Sequence, residues 1–213
     1  MTVITKKLRV LCLHGYRTNV KVMQDQRRDL RRVMAPHADF VFASAPFEAR
    51  GSSDEAIERL YSDHGPFYEW GHITKVARSD NGWYHQYVGF DRVVKHIDKQ
   101  VQDHGPFDAA IGFSQGGQML TALTMWNPRA RCCFASAIRT LGRLAEACSD
   151  PSIHLIGKKD QYYSTCREHA NLYADSPNKW VFEHDSGHRF PSGDRHPGLY
   201  EKISDKIQQH CNN

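Results

Sequence analysis

Ser114 is the side chain of this 213-residue sequence best placed to act as a nucleophile. It stands in Gly112-Phe113-Ser114-Gln115-Gly116, a G-x-S-x-G pattern that follows a short apolar run and passes into the helical pattern Gln118-Met119-Leu120-Thr121-Ala122-Leu123. Strand, sharp turn and helix are the context that a nucleophile elbow requires. At so tight a turn a side chain at Gly112 or Gly116 would collide with the neighbouring strand and helix. The turn strains Ser114, exposes its hydroxyl and aims the next N–H at the same point.

A serine hydroxyl needs a base near neutral pH, normally a histidine whose tautomer is held by a carboxylate. In the α/β-hydrolase arrangement these follow the serine in the order acid, then histidine. Of the later histidines, His154 falls in a strand, His169 in a helix and His210 in a fraying tail. His188, in Asp185-Ser186-Gly187-His188-Arg189-Phe190-Pro191, lies past the strand Lys179–Phe182, at a carboxyl edge. Among the acids, Asp150 and Asp175 precede their strands, and Asp185 would need a tight local turn to reach His188. Asp160 follows the strand Ser152–Ile156 through Gly157 on the correct edge; the alternative is a solvated aspartate beside Lys158 and Lys159. A metal couple of His184 and His188 would need a helix that Ser186-Gly187 does not support, so no metal is expected.

The tetrahedral oxyanion requires N–H donors. One is expected from the backbone of Gln115 at the start of its helix. The other is expected from Tyr16, in the loop His14-Gly15-Tyr16-Arg17-Thr18-Asn19 after the first strand. His14 is equally readable as a residue packing under that turn or as a directly catalytic one, and is kept as a candidate for the substrate pocket. Eight of the 23 aromatic residues fall between 61 and 90, where an even spread would place about three. Phe67, Tyr68 and Trp70 are therefore candidates for an acyl-binding wall, against the alternative that they pack their segment onto the core. Tyr87 and Phe90 read as core.

These residues must be carried by alternating strands and helices. Leu8–Leu13 reads as a buried strand, 19–34 as a helix stopped at Pro36, and 40–43 as a strand. An irregular, cap-like insertion spans 47–82, and Trp83 to Val101 resumes helical spacing. After the elbow helix come a strand at 131–135, a helix at 141–148, the strand at 152–156, a helix at 164–173, the strand at 179–182 and a helix at 197–210. Such alternation predicts one α/β domain over 1–213, a mostly parallel sheet with helices on both faces, and ligands at the carboxyl ends of its strands.

Composition narrows the classes. The net charge of +4 is modest, and its densest patch, Arg27-Arg28-Asp29-Leu30-Arg31-Arg32, reads as a solvated helix face rather than a nucleic-acid footprint. No apolar run approaches the roughly 18 residues of a spanning helix, and no secretory signal is visible, so a cytoplasmic protein without stable membrane insertion is expected. The six cysteines (12, 132, 133, 148, 166 and 211) form no regular framework and read as reduced.

Three blocks together resemble the FSH-type serine hydrolases, a family that takes in an animal tumour-associated esterase and fungal polyketide-releasing thioesterases. They are Leu11-Cys12-Leu13-His14-Gly15-Tyr16-Arg17-Thr18-Asn19, the elbow Gly112 to Gly117, and Gly187-His188-Arg189-Phe190-Pro191. The resemblance runs from Leu8 to about Ile207. It implies an α/β-hydrolase fold, no cofactor, a small-molecule ester or thioester substrate, and Ser114, Asp160 and His188 as nucleophile, orienting acid and base. Where the family tends to show Ser-Gly and an aromatic, this chain has Ser136-Ala137-Ile138-Arg139, and Arg139 would bring a positive charge to the acyl pocket. The competing expectations are a peptidase or amidase on the same fold, and a catalytically silent binding protein.

Overall fold

Strand β1 (Leu8–Leu13) buries alternate residues on opposite sides of a sheet: Val10 and Cys12 enter one core cluster, Leu11 and Leu13 another. Burial of both sets marks a central strand covered on both faces. The computed structural model describes residues 6–77, 83–126, 133–135, 151–173, 175 and 177–211. After β1 come α1 (Val20–Gln26), α2 (Arg28–Met34), β2 (Ala38–Ala43), β3 (Phe47–Glu48), α3 (Glu55–Tyr61), β4 (Tyr68–Glu69), β5 (His72–Ala77) and β6 (Trp83–Val88). Then follow α4 (Phe90–His104), β7 (Ala109–Gly112), α5 (Gln115–Trp126), β8 (Cys133–Ala135), β9 (Ser152–Gly157), α6 (Tyr163–Ala170), β10 (Lys179–His184) and α7 (Leu199–Cys211).

Six strands form one parallel sheet in the order β10-β9-β8-β7-β1-β2. From β1 the chain crosses to the edge at β2, returns past β1 to β7, and walks outward through β8, β9 and β10. The order therefore reverses between β1 and β7, and the loops leaving their carboxyl ends part to form a crevice. On one face Met23, Leu30, Met34, Tyr200, Ile203 and Ile207 bring α1, α2 and α7 onto the sheet. On the other, Val93, Ile97, Met119 and Leu120 do the same for α4 and α5. The expected parallel α/β architecture is present.

Four local expectations are corrected. The helix expected over 19–34 is two helices, broken at Arg27 (φ −108°, ψ 19°). Arg27 is fully buried, its guanidinium packed over the rings of Phe42 and Phe190, so the basic patch is not wholly a solvated face. Trp83–Val88 is a strand paired with β5, not the start of a helix. Its aromatic and β-branched composition suits a pleated ribbon, and Gly89, at φ 93°, ends it before α4 begins. The segment from 47 to 77 is not irregular throughout, since it forms β3, α3, β4 and β5. The helix expected at 141–148, and Arg139 with it, lie outside the described residues. Among the described residues no helix is long and apolar enough to cross a membrane.

Candidate active site

The elbow is built at the carboxyl end of β7. Ser114 has φ 51°, in the left-handed region that non-glycine residues enter only at a cost of about 1–2 kcal/mol. Its carbonyl accepts from the N–H groups of Gly117 and Gln118 at 3.0 and 3.1 Å, which starts α5 directly behind it. A Cβ on Gly116 would strike the carbonyl oxygens of Leu13 and His14, and one on Gly112 the backbone of Gly117. Both positions thus require glycine for the strand, the turn and the helix to meet.

The acid and the histidine arrive at the same edge on the loops after β9 and β10. Asp160 follows β9 and is nearly buried; its Oδ1 accepts from the N–H of Tyr162 at 2.8 Å. Its Oδ2 accepts from His188 Nδ1–H at 2.6 Å. That bond leaves Nε2 as the free basic nitrogen, the tautomer a general base needs. The His188 loop is itself fixed against the Asp160 loop: Lys158 and Lys159 donate their N–H groups to the carbonyls of His184 and Ser186 at 2.8 and 3.2 Å. Phe113 and Tyr162 bracket the imidazole, with ring centroids 5.0 and 5.3 Å away. Ser114, Asp160 and His188 all line one cavity of about 30 Å³, with Phe113, Leu155, His184 and Phe190 among the remaining walls. Asp185, the competing acid, is exposed and lies 3.8 Å from Lys158.

The loop after β1 lies against the elbow. A Cβ on Gly15 would come within 2.9 Å of the Phe113 ring and 3.6 Å of Ser114 Cβ, so only glycine allows this approach. The Gly15 carbonyl accepts from His14 Nδ1–H at 2.8 Å and from the Thr18 hydroxyl at 2.9 Å. Fixing that carbonyl fixes the peptide plane, whose opposite end is the Tyr16 N–H. Neither this N–H nor that of Gln115 donates to another described residue.

The pocket expectations fare differently. His14 is wholly buried, and its Nε2 accepts from the N–H of Ala45 at 3.0 Å, so it is a neutral structural residue under the turn and not a pocket wall. Burial accordingly lowers its pKa to about 4. Trp70 is equally buried; its indole N–H donates to the His14 carbonyl at 2.9 Å. Tyr68 packs with Phe47, Tyr87 and Phe90 against the second core cluster, and neither it nor Phe67 lines the cavity at Ser114. Tyr68, Trp70, Tyr87 and Phe90 are therefore core packing. Three contributors escaped the sequence. The Gln115 side chain bonds Trp70 and Gly71, Tyr162 braces both Asp160 and His188, and Arg17 pairs with buried Glu69 at 3.2 Å. Only Tyr162, two residues past the acid, carried a local signal. Among the described residues no three His, Cys, Asp or Glu side chains are grouped to hold a metal ion.

A parallel α/β sheet with a serine elbow after β7, a carboxylate after β9 and a histidine after β10, all at its carboxyl edge, defines an α/β-hydrolase. The chain belongs to the FSH1 serine hydrolase family, whose model matches residues 1–198. It is 28% identical over 207 residues to Esterase CG5412 of Drosophila melanogaster, covering 89% of this chain and 70% of that protein. It is 25% identical over 225 residues to Esterase OVCA2 of Danio rerio, covering 94% and 98%. Its fold is similar to that of a carboxylesterase from Mesorhizobium loti, with a TM-score of 0.64 at 14% identity and 94% and 90% of the two chains covered. The protein is a carboxylic ester hydrolase of the serine type.

Proposed function

We propose that the protein hydrolyses carboxylic esters or thioesters through an acyl-enzyme on Ser114. In this reading His188 Nε2 takes the Ser114 proton as Oγ attacks the carbonyl carbon, and Asp160 steadies the imidazolium. The oxyanion is met by the N–H groups of Tyr16 and Gln115, and His188 returns the proton to the departing alcohol or thiol. Water, deprotonated by the same nitrogen, then releases the acid. The observation that carries the reading is the 2.6 Å bond from His188 to Asp160 at the cavity that Ser114 lines.

The acyl group is apolar. Phe113, Leu155 and Phe190, the apolar walls beside Ser114, support this, rather than the 47–82 segment. Hydrolysis of p-nitrophenyl esters from two to sixteen carbons tests it. The expected result is kcat/KM rising from the acetate to a longer chain by about tenfold or more, since each buried methylene is worth about 0.8 kcal/mol. A flat or falling profile counts against an apolar acyl site.

A further inference from the structure

Four consecutive residues, Tyr68 to Gly71, bind both loops that carry the candidate oxyanion donors. The Tyr68 N–H donates to the Thr18 carbonyl at 2.7 Å. The Trp70 indole N–H donates to the His14 carbonyl at 2.9 Å. The Trp70 N–H and the Gly71 carbonyl take the two ends of the Gln115 carboxamide, at 2.8 and 2.9 Å. One short segment therefore sets the spacing between the loop bearing the Tyr16 N–H and the helix start bearing the Gln115 N–H.

Glu69 is the charged member of this brace, at 1% exposure. Its Oε2 accepts from Arg17 Nε at 3.2 Å and its Oε1 is bound by His72 Nδ1. A carboxylate so buried is tolerated because it is paired, and removing either partner strands the other. Arg17 directly follows Tyr16 and has φ 49°, again in the left-handed region, so the chain turns against its preference one residue past the Tyr16 donor. Its side chain is anchored three ways: to Glu69, to the Ser52 carbonyl at 3.0 Å, and over the Tyr16 ring at 4.8 Å.

We infer that Glu69, acting through Arg17, is a positioning residue that holds the Tyr16 N–H in register with the Gln115 N–H, so that one tetrahedral oxyanion takes both. This rests on the esterase reading above. A donor aimed at the oxyanion matters only once the tetrahedral species exists, so its misplacement lowers kcat and leaves substrate binding intact.

The test compares the full-length protein with Glu69→Gln, Arg17→Met and Arg17→Lys, using p-nitrophenyl butyrate turnover and inhibition by an alkylboronic acid, which forms a tetrahedral adduct with a nucleophilic serine. Glu69→Gln and Arg17→Met are each expected to lower kcat about tenfold with KM within twofold, against the 10²–10³ loss when an oxyanion donor is removed outright. The boronate inhibition constant is expected to rise by a similar factor, Arg17→Lys to recover most of the loss, and the double variant to be no worse than either single one. Unchanged kcat and boronate affinity in folded variants, or a loss confined to KM, overturns the inference. If Glu69→Gln does not fold, Arg17→Met decides, because that side chain is 25% exposed. Wild-type protein with neither turnover nor fluorophosphonate labelling fails the esterase reading and this inference together. Active wild type with unaffected variants fails the inference alone.

Discussion

The side chain of Gln115 accepts a hydrogen bond from the backbone N–H of Trp70 at 2.8 Å. The residue after the candidate nucleophile, proposed above as an oxyanion donor through its N–H, also grips the neighbouring segment with its carboxamide. Gln115→Leu would leave the buried Trp70 N–H and Gly71 carbonyl without partners. The expected cost is on the order of 2–4 kcal/mol in urea denaturation, together with a fall in kcat. A variant as stable as wild type would show that those groups find other partners.

The bond from His188 to Asp160 fixes which imidazole nitrogen is basic. Asp160→Asn keeps the shape of the side chain but can present an amide N–H to Nδ1, favouring the wrong tautomer. A loss of about 10³–10⁴-fold in kcat with little change in KM is expected from steady-state kinetics on a p-nitrophenyl ester. A loss under tenfold would mean that Asp160 does not orient the base.

His14 gives a pH dependence with a definite sign. Its Nε2 accepts from Ala45, so protonation breaks a buried bond, and the folded pKa of about 4 lies below the ordinary 6.5. The unfolded chain therefore binds this proton first as pH falls. The contribution of His14 is complete above about pH 6.5 and declines toward pH 4, by on the order of 3 kcal/mol. Imidazole nitrogen NMR should find His14 neutral, with the proton on Nδ1, at pH 5.5. A titration midpoint near 6.5 would contradict the buried geometry.

Arg27 is buried with no hydrogen-bond acceptor for Nε, Nη1 or Nη2 among the described residues, and burial lowers its pKa. Its guanidinium lies 5.8 Å from the Phe42 ring centroid and 5.2 Å from that of Phe190, contacts that offset part of the cost of burying an unpaired cation. Arg27→Met keeps the packing and removes the unpaired charge. Thermal and urea unfolding should find stability unchanged or raised by up to about 2 kcal/mol. A loss above about 1 kcal/mol would mean that the cation itself is needed between the two rings.

The local part of this design was legible in the residues. Gly112, Ser114 and Gly116 announce a turn through sterics alone, and the strand-then-loop placement of Asp160 and His188 follows from apolar periodicity. What escaped depends on contacts between distant segments. Trp83–Val88 alternates no more clearly as a strand than as a helix until β5 pairs with it, and the spacing of Tyr87 to Phe90 straddles a break at Gly89. Trp70 looked like a pocket aromatic because composition cannot say which face of a loop turns inward. Arg17 and Glu69 stand 52 positions apart, and nothing in either neighbourhood announces their pairing.

The most direct test of the account is covalent labelling of the intact protein with a fluorophosphonate, read by peptide mass spectrometry. A single adduct on the peptide containing Ser114, absent from Ser114→Ala and slowed in His188→Ala, is the predicted result. No adduct on the folded wild-type protein, or one that persists in Ser114→Ala, would contradict it.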